Sequence, residues 1–373
     1  MSTGDWNLVF GLPNLAPPER SLGTSTLVVP AENDGRLLAL IEREPNVGRF
    51  LSAFVDEYGS ASGTAALLSR SERPRLEAVY AFRDSLAFSV IAGAMAIHIN
   101  FPPGIVGLLF SNYFRFHPTT LGRGDDAVVV TQTQALRGLE ALDDFKGRVD
   151  PALPVGTLSH SRVDHEIYLR LLRLWNIVCG QGTAKHSARS RAVFRALNVA
   201  FEAASLPHNH LALDRDLGVR LALWISAFEI LVWPINRKAG FEHVTARLEA
   251  HDWQHKGLRA ARYKLVRNKK MRRVPLPIRI YELMYRARNT YLHGEQIRER
   301  HLYPFASGES LLAFAPLLFR VVLDTILPKL RHLRASELEY MQIQGNRPWR
   351  LLRAGYDFDI ERAIVAATKP LPE

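Results

Sequence analysis

Four side chains within "RARNTYLHGE", residues 286 to 295, have types suited to phosphoryl chemistry: Arg286, Arg288, Asn289 and His293. An imidazole exchanges a proton near neutral pH, and a guanidinium supplies a permanent positive charge with several N–H donors. In RNA cleavage the histidine would take the proton of a ribose 2′-hydroxyl or protonate the leaving oxygen. An arginine would stabilise the charge building on the phosphate, and no metal is required. Projected at about 100° per residue, Arg286, Asn289 and His293 share the polar side of a helix. Arg288 falls on the other flank, roughly 140° from His293, and reaches it only through a distorted last turn or across an interface. A plainer reading fits the same residues: arginine and histidine near a helix C-terminus complement its dipole and satisfy orphan carbonyls.

These residues need a helix to carry them, and "VPLPIRIYELMYRARNTYLH" reads as one. Leu276, Ile280, Leu283, Ala287 and Tyr291 form its expected core-facing stripe, prolines suit its first turn, and Gly294 suits the left-handed position after its end. Upstream, "LDRDLGVRLALWISAFEILVWP" sets Leu217, Leu221, Trp224, Phe228 and Leu231 on one stripe but is apolar nearly all round, which predicts a central, buried helix. Glu229 lies inside that run. An ionised carboxylate there must find a partner or be neutralised. An arginine from the 277 to 293 helix would serve, leaving Glu229 to orient the site; the alternative is a carboxylate that snorkels to a bundle edge. Further helices are expected over 162 to 178, 187 to 205 and from Ser307 onward, where Pro316 and Pro328 should bend or end the last one.

Before residue 147 the pattern is mixed. Short β-type runs occur at 7 to 12, 26 to 29 and 127 to 133, among helices expected at about 35 to 57, 73 to 99 and 133 to 146. The stretch 147 to 161, "GRVDPALPVGTLSHS", has the composition of a linker. The expected organisation is therefore an N-terminal accessory or sensing domain over 1–150, a helical domain over 151–335 and a C-terminal extension over 336–373. The fold class is mainly α, a helical bundle preceded by a mixed α/β or α-rich domain.

A chain of 373 residues with 47% hydrophobic content can bury a core in each of two domains, and its net charge of +11 favours a polyanionic partner. The N-terminus has no targeting pattern. The apolar run from Leu86 to Phe110 is interrupted by His98, Asn100, Pro102 and Pro103, so each half is expected to be too short to cross a bilayer. The single cysteine, Cys179, excludes an internal disulfide and a cysteine-based zinc cage. These features point to the cytoplasm.

Charge concentrates just before the candidate helix. Lys256, Arg259, Arg262, Lys264, Arg267, Lys269, Lys270, Arg272 and Arg273 are nine basic residues, with no acidic residue between Trp253 and Tyr281. Such density can guide a phosphate backbone, with binding that weakens as salt rises; a solvated helix-and-loop face is the alternative. His208, His210, His243, His251 and His255 lack the spacing of a metal site and read as surface residues extending the basic segment. A glycine-rich phosphate loop and a Gly-x-Ser-x-Gly elbow are both missing, which argues against an NTPase or a serine hydrolase.

"RNTYLH" resembles the Arg-Asn-x-x-x-His form of the arginine–histidine motif of HEPN domains, all-helical modules many of which are metal-independent ribonucleases. Ala227, Glu229 and Leu231 in "LALWISAFEILV", with Gly294 after the histidine, resemble the ApeA-like HEPN group over roughly residues 160 to 335. The resemblance implies that Arg288, Asn289 and His293 are catalytic, that Glu229 supports them with Arg286 nearby, and that the groove forms between two protomers of a homodimer. It also implies single-stranded or loop RNA as substrate, no cofactor, and a toxin or antiviral defence role, the N-terminal half sensing a trigger or regulatory partner. A non-catalytic scaffold of the same fold, binding nucleic acid or protein, is the alternative. Where one variant of the motif has a tyrosine two residues after the histidine, this chain has Glu295. Regulation by nucleotide modification of that tyrosine is therefore not expected, and neither is a membrane partner.

Overall fold

Most of the apolar periodicity resolves into helix, and the chain is mainly α-helical. The computed structural model describes residues 6–13, 20–21, 26–30, 34–52, 64–69, 76–100, 117–121, 127–129, 163–179, 188–206, 214–233, 240–267, 269–296, 298–327 and 349–368. Both expected domain boundaries, in 147 to 161 and at 335/336, lie outside the described residues. So do the helix expected at 133 to 146, His208, His210 and Pro328.

The contacts divide the chain into two units: Met1–Arg83, Leu109–Arg162 and Trp175–Ala184 form one, and Asp84–Leu108, Val163–Leu174 and Lys185–Glu373 form the other. The first holds a six-stranded antiparallel sheet: β1 (Asn7–Pro13), β2 (Arg20–Ser21), β3 (Thr26–Pro30), β4 (Thr64–Ser69), β5 (His117–Leu121) and β6 (Ala127–Val129). Their spatial order is β2-β3-β4-β1-β5-β6. The β-type runs at 7, 26 and 127 are strands as expected. β4, "TAALLS", was not legible because it carries no aromatic residue and a single β-branched one, Thr64. The helix expected from 35 to 57 is divided into α1 (Gly35–Arg43) and α2 (Pro45–Ser52). Pro45 explains the division, since it cannot donate to a continuing ladder and disfavours a helical residue before it.

α3 (Leu76–Asn100) is the helix expected at about 73 to 99; because it starts ten residues before Leu86 and runs on through His98, it is longer than the apolar half read from Leu86 alone. It is long and apolar enough to cross a membrane by length and composition, yet most of that window is buried inside the protein. Serine explains part of this tolerance: Ser89 Oγ donates to the carbonyls of Leu86 and Ser85, at 2.6 and 3.1 Å.

The second unit is built on α4 (His165–Cys179) as far as Leu174, α5 (Ala188–Ser205), α6 (Asp214–Leu231), α7 (Phe241–Glu249), α8 (Lys256–Arg259), α9 (Leu276–Leu292), α10 (Glu299–Leu302), α11 (Leu311–Ile326) and α12 (Trp349–Thr368). α6 packs against α5, α7, α9 and α11. It is central as expected, but the most buried helix is α11, which continues through Pro316 and buries every residue from Leu311 to Leu323. Phe319 of α11 gathers the rings: Phe88 at 4.8 Å, Phe228 at 5.3 Å and Trp224 at 5.8 Å between centroids, all edge-on.

The buried Arg320 ties this core together. Its guanidinium donates to Asp164 Oδ2 from Nε and Nη2, at 3.1 and 3.0 Å, and pairs with Asp357 of α12. Those carboxylates hold its pKa above the ordinary arginine value despite full burial. α12 also fixes the segment leading to the basic residues, because the Glu361 carboxylate accepts from the backbone N–H groups of Gln254 and His255 at 2.8 and 2.6 Å. Arg320→Ala leaves two carboxylates without their cation and is expected to cost about 3–5 kcal/mol. A fall in the urea midpoint would register it; a midpoint equal to that of the parent contradicts the network's role.

Candidate functional site

α9 has the expected ends. It starts behind Pro275 with Pro277 in its first turn, and stops in a Schellman closure: Glu295 N donates to Thr290 O at 3.0 Å and Gly294 N to Tyr291 O at 3.1 Å. Gly294 takes φ 75°, the left-handed conformation that glycine supplies at no steric cost. His293 is the capping residue and is exposed. The last turn thus ends in a regular motif rather than a distortion that would draw Arg288 towards His293.

The buried face of α9 differs from the projected stripe. Leu276, Ile280 and Ala287 are buried, but Leu283 and Tyr291 are only half-buried, while Ile278, Tyr281, Glu282 and Met284 are fully enclosed. The core face is therefore rotated towards Tyr281 and Met284. That rotation turns Arg288 inward and leaves Arg286 outside. Arg286 pairs with Glu282, a buried carboxylate that also binds Arg279. Held in that clip, Arg286 serves the helix.

Arg288 has different surroundings. Its Nη1 donates to Asn289 Oδ1 at 3.0 Å, and its guanidinium lies 5.8 Å from the Tyr285 ring centre. Its Nε is buried with no hydrogen-bond partner among the described residues. Glu229, half-buried on α6, faces the same region: burial pushes its carboxyl above the ordinary range, and the charge of Arg288 opposes that rise. No direct ion pair joins the two among the described residues. The cation that acts on Glu229 is nevertheless an arginine of α9, as Glu229's burial demands.

Three further residues complete the cluster. The fully buried Tyr281 stacks on Phe241 at 5.6 Å and meets Phe228 edge-on at 5.1 Å. Its hydroxyl has no hydrogen-bond partner among the described residues; burial, and then the Glu229 charge, push its pKa well above the ordinary tyrosine value. Arg267 lies 4.2 Å from the Phe241 ring centre and 5.4 Å from that of Tyr285. Two arginines, Arg267 and Arg288, thus lie near the Tyr285 ring. Tyr281, Tyr285 and Arg288 recur at spacings of four and three, a signal present in the sequence but masked by assigning the stripe to Leu283.

The basic segment is helix only at its start. After the short α8 it forms a hairpin of β7 (Tyr263–Arg267) and β8 (Lys270–Val274), with Leu265 opposite Arg272 and Val266 opposite Met271. Of the nine basic residues, Arg267 and Arg272 pair with Glu242, at 3.3 and 3.9 Å, and Arg272 reaches Glu249 at 3.8 Å. Lys256, Arg259, Arg262, Lys264, Lys269, Lys270 and Arg273 are exposed. His251 is not the surface residue expected. It packs edge-on against Trp253 at 4.6 Å, and burial holds its imidazole below the ordinary value. His255 caps α8, its Nδ1 accepting from Gly257 N at 3.1 Å.

Packing fixes where α9 ends. A Cβ on Gly218 of α6 would lie 2.3 Å from the Tyr291 ring, so α6 reaches the last turn of α9 only because residue 218 has no side chain. Comparison with known proteins returns no matching family model, no similar curated protein and no similar solved structure.

Gly218→Ala should destabilise by about 1–3 kcal/mol through overpacking, against a small gain for an ordinary glycine inside a helix; a thermal midpoint at or above the parent's would refute the close approach. For Glu229, ionisation costs more in the folded chain than in the unfolded one. The penalty is complete above the folded pKa and absent below the unfolded value of roughly 4.3. Glu229→Gln should therefore melt above the parent at pH 8, with the gap closing near pH 4; a gap that widens on acidification has the wrong sign.

Proposed function

We propose that the chain is a metal-independent endoribonuclease of the HEPN type, acting on single-stranded or loop RNA as a homodimer. The observation that carries this reading is the setting of Arg288: bonded to Asn289, near Tyr285, under the charge of Glu229, and five residues before the exposed His293. In the reaction His293 accepts the 2′-hydroxyl proton, the 2′-oxygen attacks the adjacent phosphorus, and the 5′-oxygen leaves with a proton from solvent, to which His293 afterwards returns its own. The products are a 2′,3′-cyclic phosphate and a 5′-hydroxyl. Arg288 stabilises the phosphorane-like charge, and Asn289 and Glu229 fix its guanidinium. Arg286, committed to Glu282, takes no part.

Within one chain Arg288 turns towards Glu229 while His293 faces solvent, which favours completion of the site by a second copy. On this reading the protein works in the cytoplasm as a toxin or antiviral effector, with the N-terminal unit receiving a trigger or regulatory partner. An inert scaffold of the same fold is the competing reading, favoured by the same separation of Arg288 from His293 if no second copy joins them.

Purified protein should cut RNA in the presence of a chelator, leave cyclic phosphate ends and spare DNA of the same sequence, which lacks the attacking hydroxyl. His293→Ala, at an exposed position, should lower the rate by about 10²–10⁴-fold while leaving the melting temperature unchanged. Full activity in that variant, or equal cleavage of DNA, rules the assignment out.

A further inference from the structure

The register of β7 and β8 sorts the basic residues by face. Tyr263 with Val274, Leu265 with Arg272 and Arg267 with Lys270 share one side, where Leu265 and Val274 are buried and Arg267 and Arg272 meet Glu242. Lys264 opposite Arg273, and Val266 opposite Met271, share the other. All four are exposed, and no ion pair engages Lys264 or Arg273 among the described residues.

Two features of that outer face need a cause. Val266 and Met271 are 57% and 68% exposed, side by side on a ribbon that already has an apolar inner face. At the turn, Lys269 adopts φ 63°, a left-handed conformation that is strained for a residue with a Cβ and that glycine adopts freely. A lysine there adds a cation to the tip. The inner face shows where the ribbon leads, since Arg267, at the end of β7, lies over Tyr285, which also faces Arg288. The tip of the hairpin thus stands beside the candidate site.

We infer that the β7–β8 hairpin is a single-strand RNA-holding arm: Lys264, Lys269 and Arg273 take the phosphates, and the Val266–Met271 pair packs against an unstacked base. The inference rests on the ribonuclease reading for its choice of ligand. RNA is favoured over an anionic membrane because the cationic tip adjoins the arginine expected at the phosphate, and because two apolar side chains offer a base-sized platform. Arg267 and Arg272 are excluded from contact and hold the ribbon in place.

The test uses full-length protein carrying His293→Ala, so that binding is read without cleavage, and a fluorescent single-stranded RNA dodecamer followed by anisotropy across a salt series. Adding Lys264→Ala with Arg273→Ala should weaken binding about tenfold and reduce the slope of log affinity against log salt by about 1.4, two phosphate contacts on a single strand. Adding Val266→Ser with Met271→Ser should weaken binding several-fold at an unchanged slope. All four residues are exposed, so an unchanged melting temperature confirms that folding is intact. Parent-like RNA affinity in both variants overturns the inference, as does a parent that binds no RNA, or variants that lose binding only to phosphatidylserine–phosphatidylcholine vesicles. RNA held through the hairpin but never cut by the protein with His293 intact would remove the nuclease and keep the arm. The same hairpin substitutions placed in protein with His293 intact, if they leave both RNA binding and cutting at the parent level, would do the reverse.

Discussion

Glu229 sits in a helix apolar on almost every side, where an ionised carboxylate is unfavourable without a compensating cation, and the cation placed to act on it is Arg288 of the neighbouring helix. Much of the second unit keeps those two helices in register. Gly218 lets α6 approach the last turn of α9, Phe228 joins Tyr281 to Phe319, and α11 closes the core behind them. Arg288 in turn holds Asn289 and lies near Tyr285, so the half-buried carboxylate of one helix acts on a cation that contacts polar groups of its own helix. Tyr281 feels the same carboxylate, and its hydroxyl and the Arg288 Nε are both buried without hydrogen-bond partners among the described residues. A buried polar cluster left partly unsatisfied is costly, and its persistence is the physical case for a site.

The arginines divide into two kinds. Arg320, Arg279 and Arg286 are bound to carboxylates and serve the fold. Arg288 is held by an amide, a ring and a carboxylate not in direct contact, which orients its charge without neutralising it. Arg267 and Arg272 are intermediate: they secure the hairpin, and so determine which cations face outward. High positive charge alone did not distinguish these roles; geometry did.

Much of the second unit was legible in the sequence. The limits of α9, its proline start and its Gly294 stop follow from local rules, and α6 and α5 follow from apolar spacing. The rotation of α9's buried face was not legible, because Leu283 and Tyr281 are equally plausible core residues until neighbouring helices choose between them. The hairpin was hidden for a related reason: lysine and arginine occupy both of its faces, so the alternation that marks a strand is carried by Leu265 and Val274 alone. α3 was legible as a helix at about 73 to 99; only its apolar length was underread, because the run was counted from Leu86 with His98 and Asn100 as interruptions, and these belong to the helix's last turn. Neither expected domain boundary falls within the described residues. Arg288 was the residue that helical projection set apart, and its inward setting on the rotated face explains why.

The central claim is that Arg288 and His293 act together although one chain turns them apart. Mixing Arg288→Ala protein with His293→Ala protein, each inactive alone, and allowing the chains to exchange tests it directly. If the site is shared, about half of the dimers are mixed and one of their two sites is intact, so RNA cleavage should recover to about a quarter of the parent rate. Mixed dimers that form, as shown by mass or by a tag on one chain, and yet cut no RNA would contradict the account.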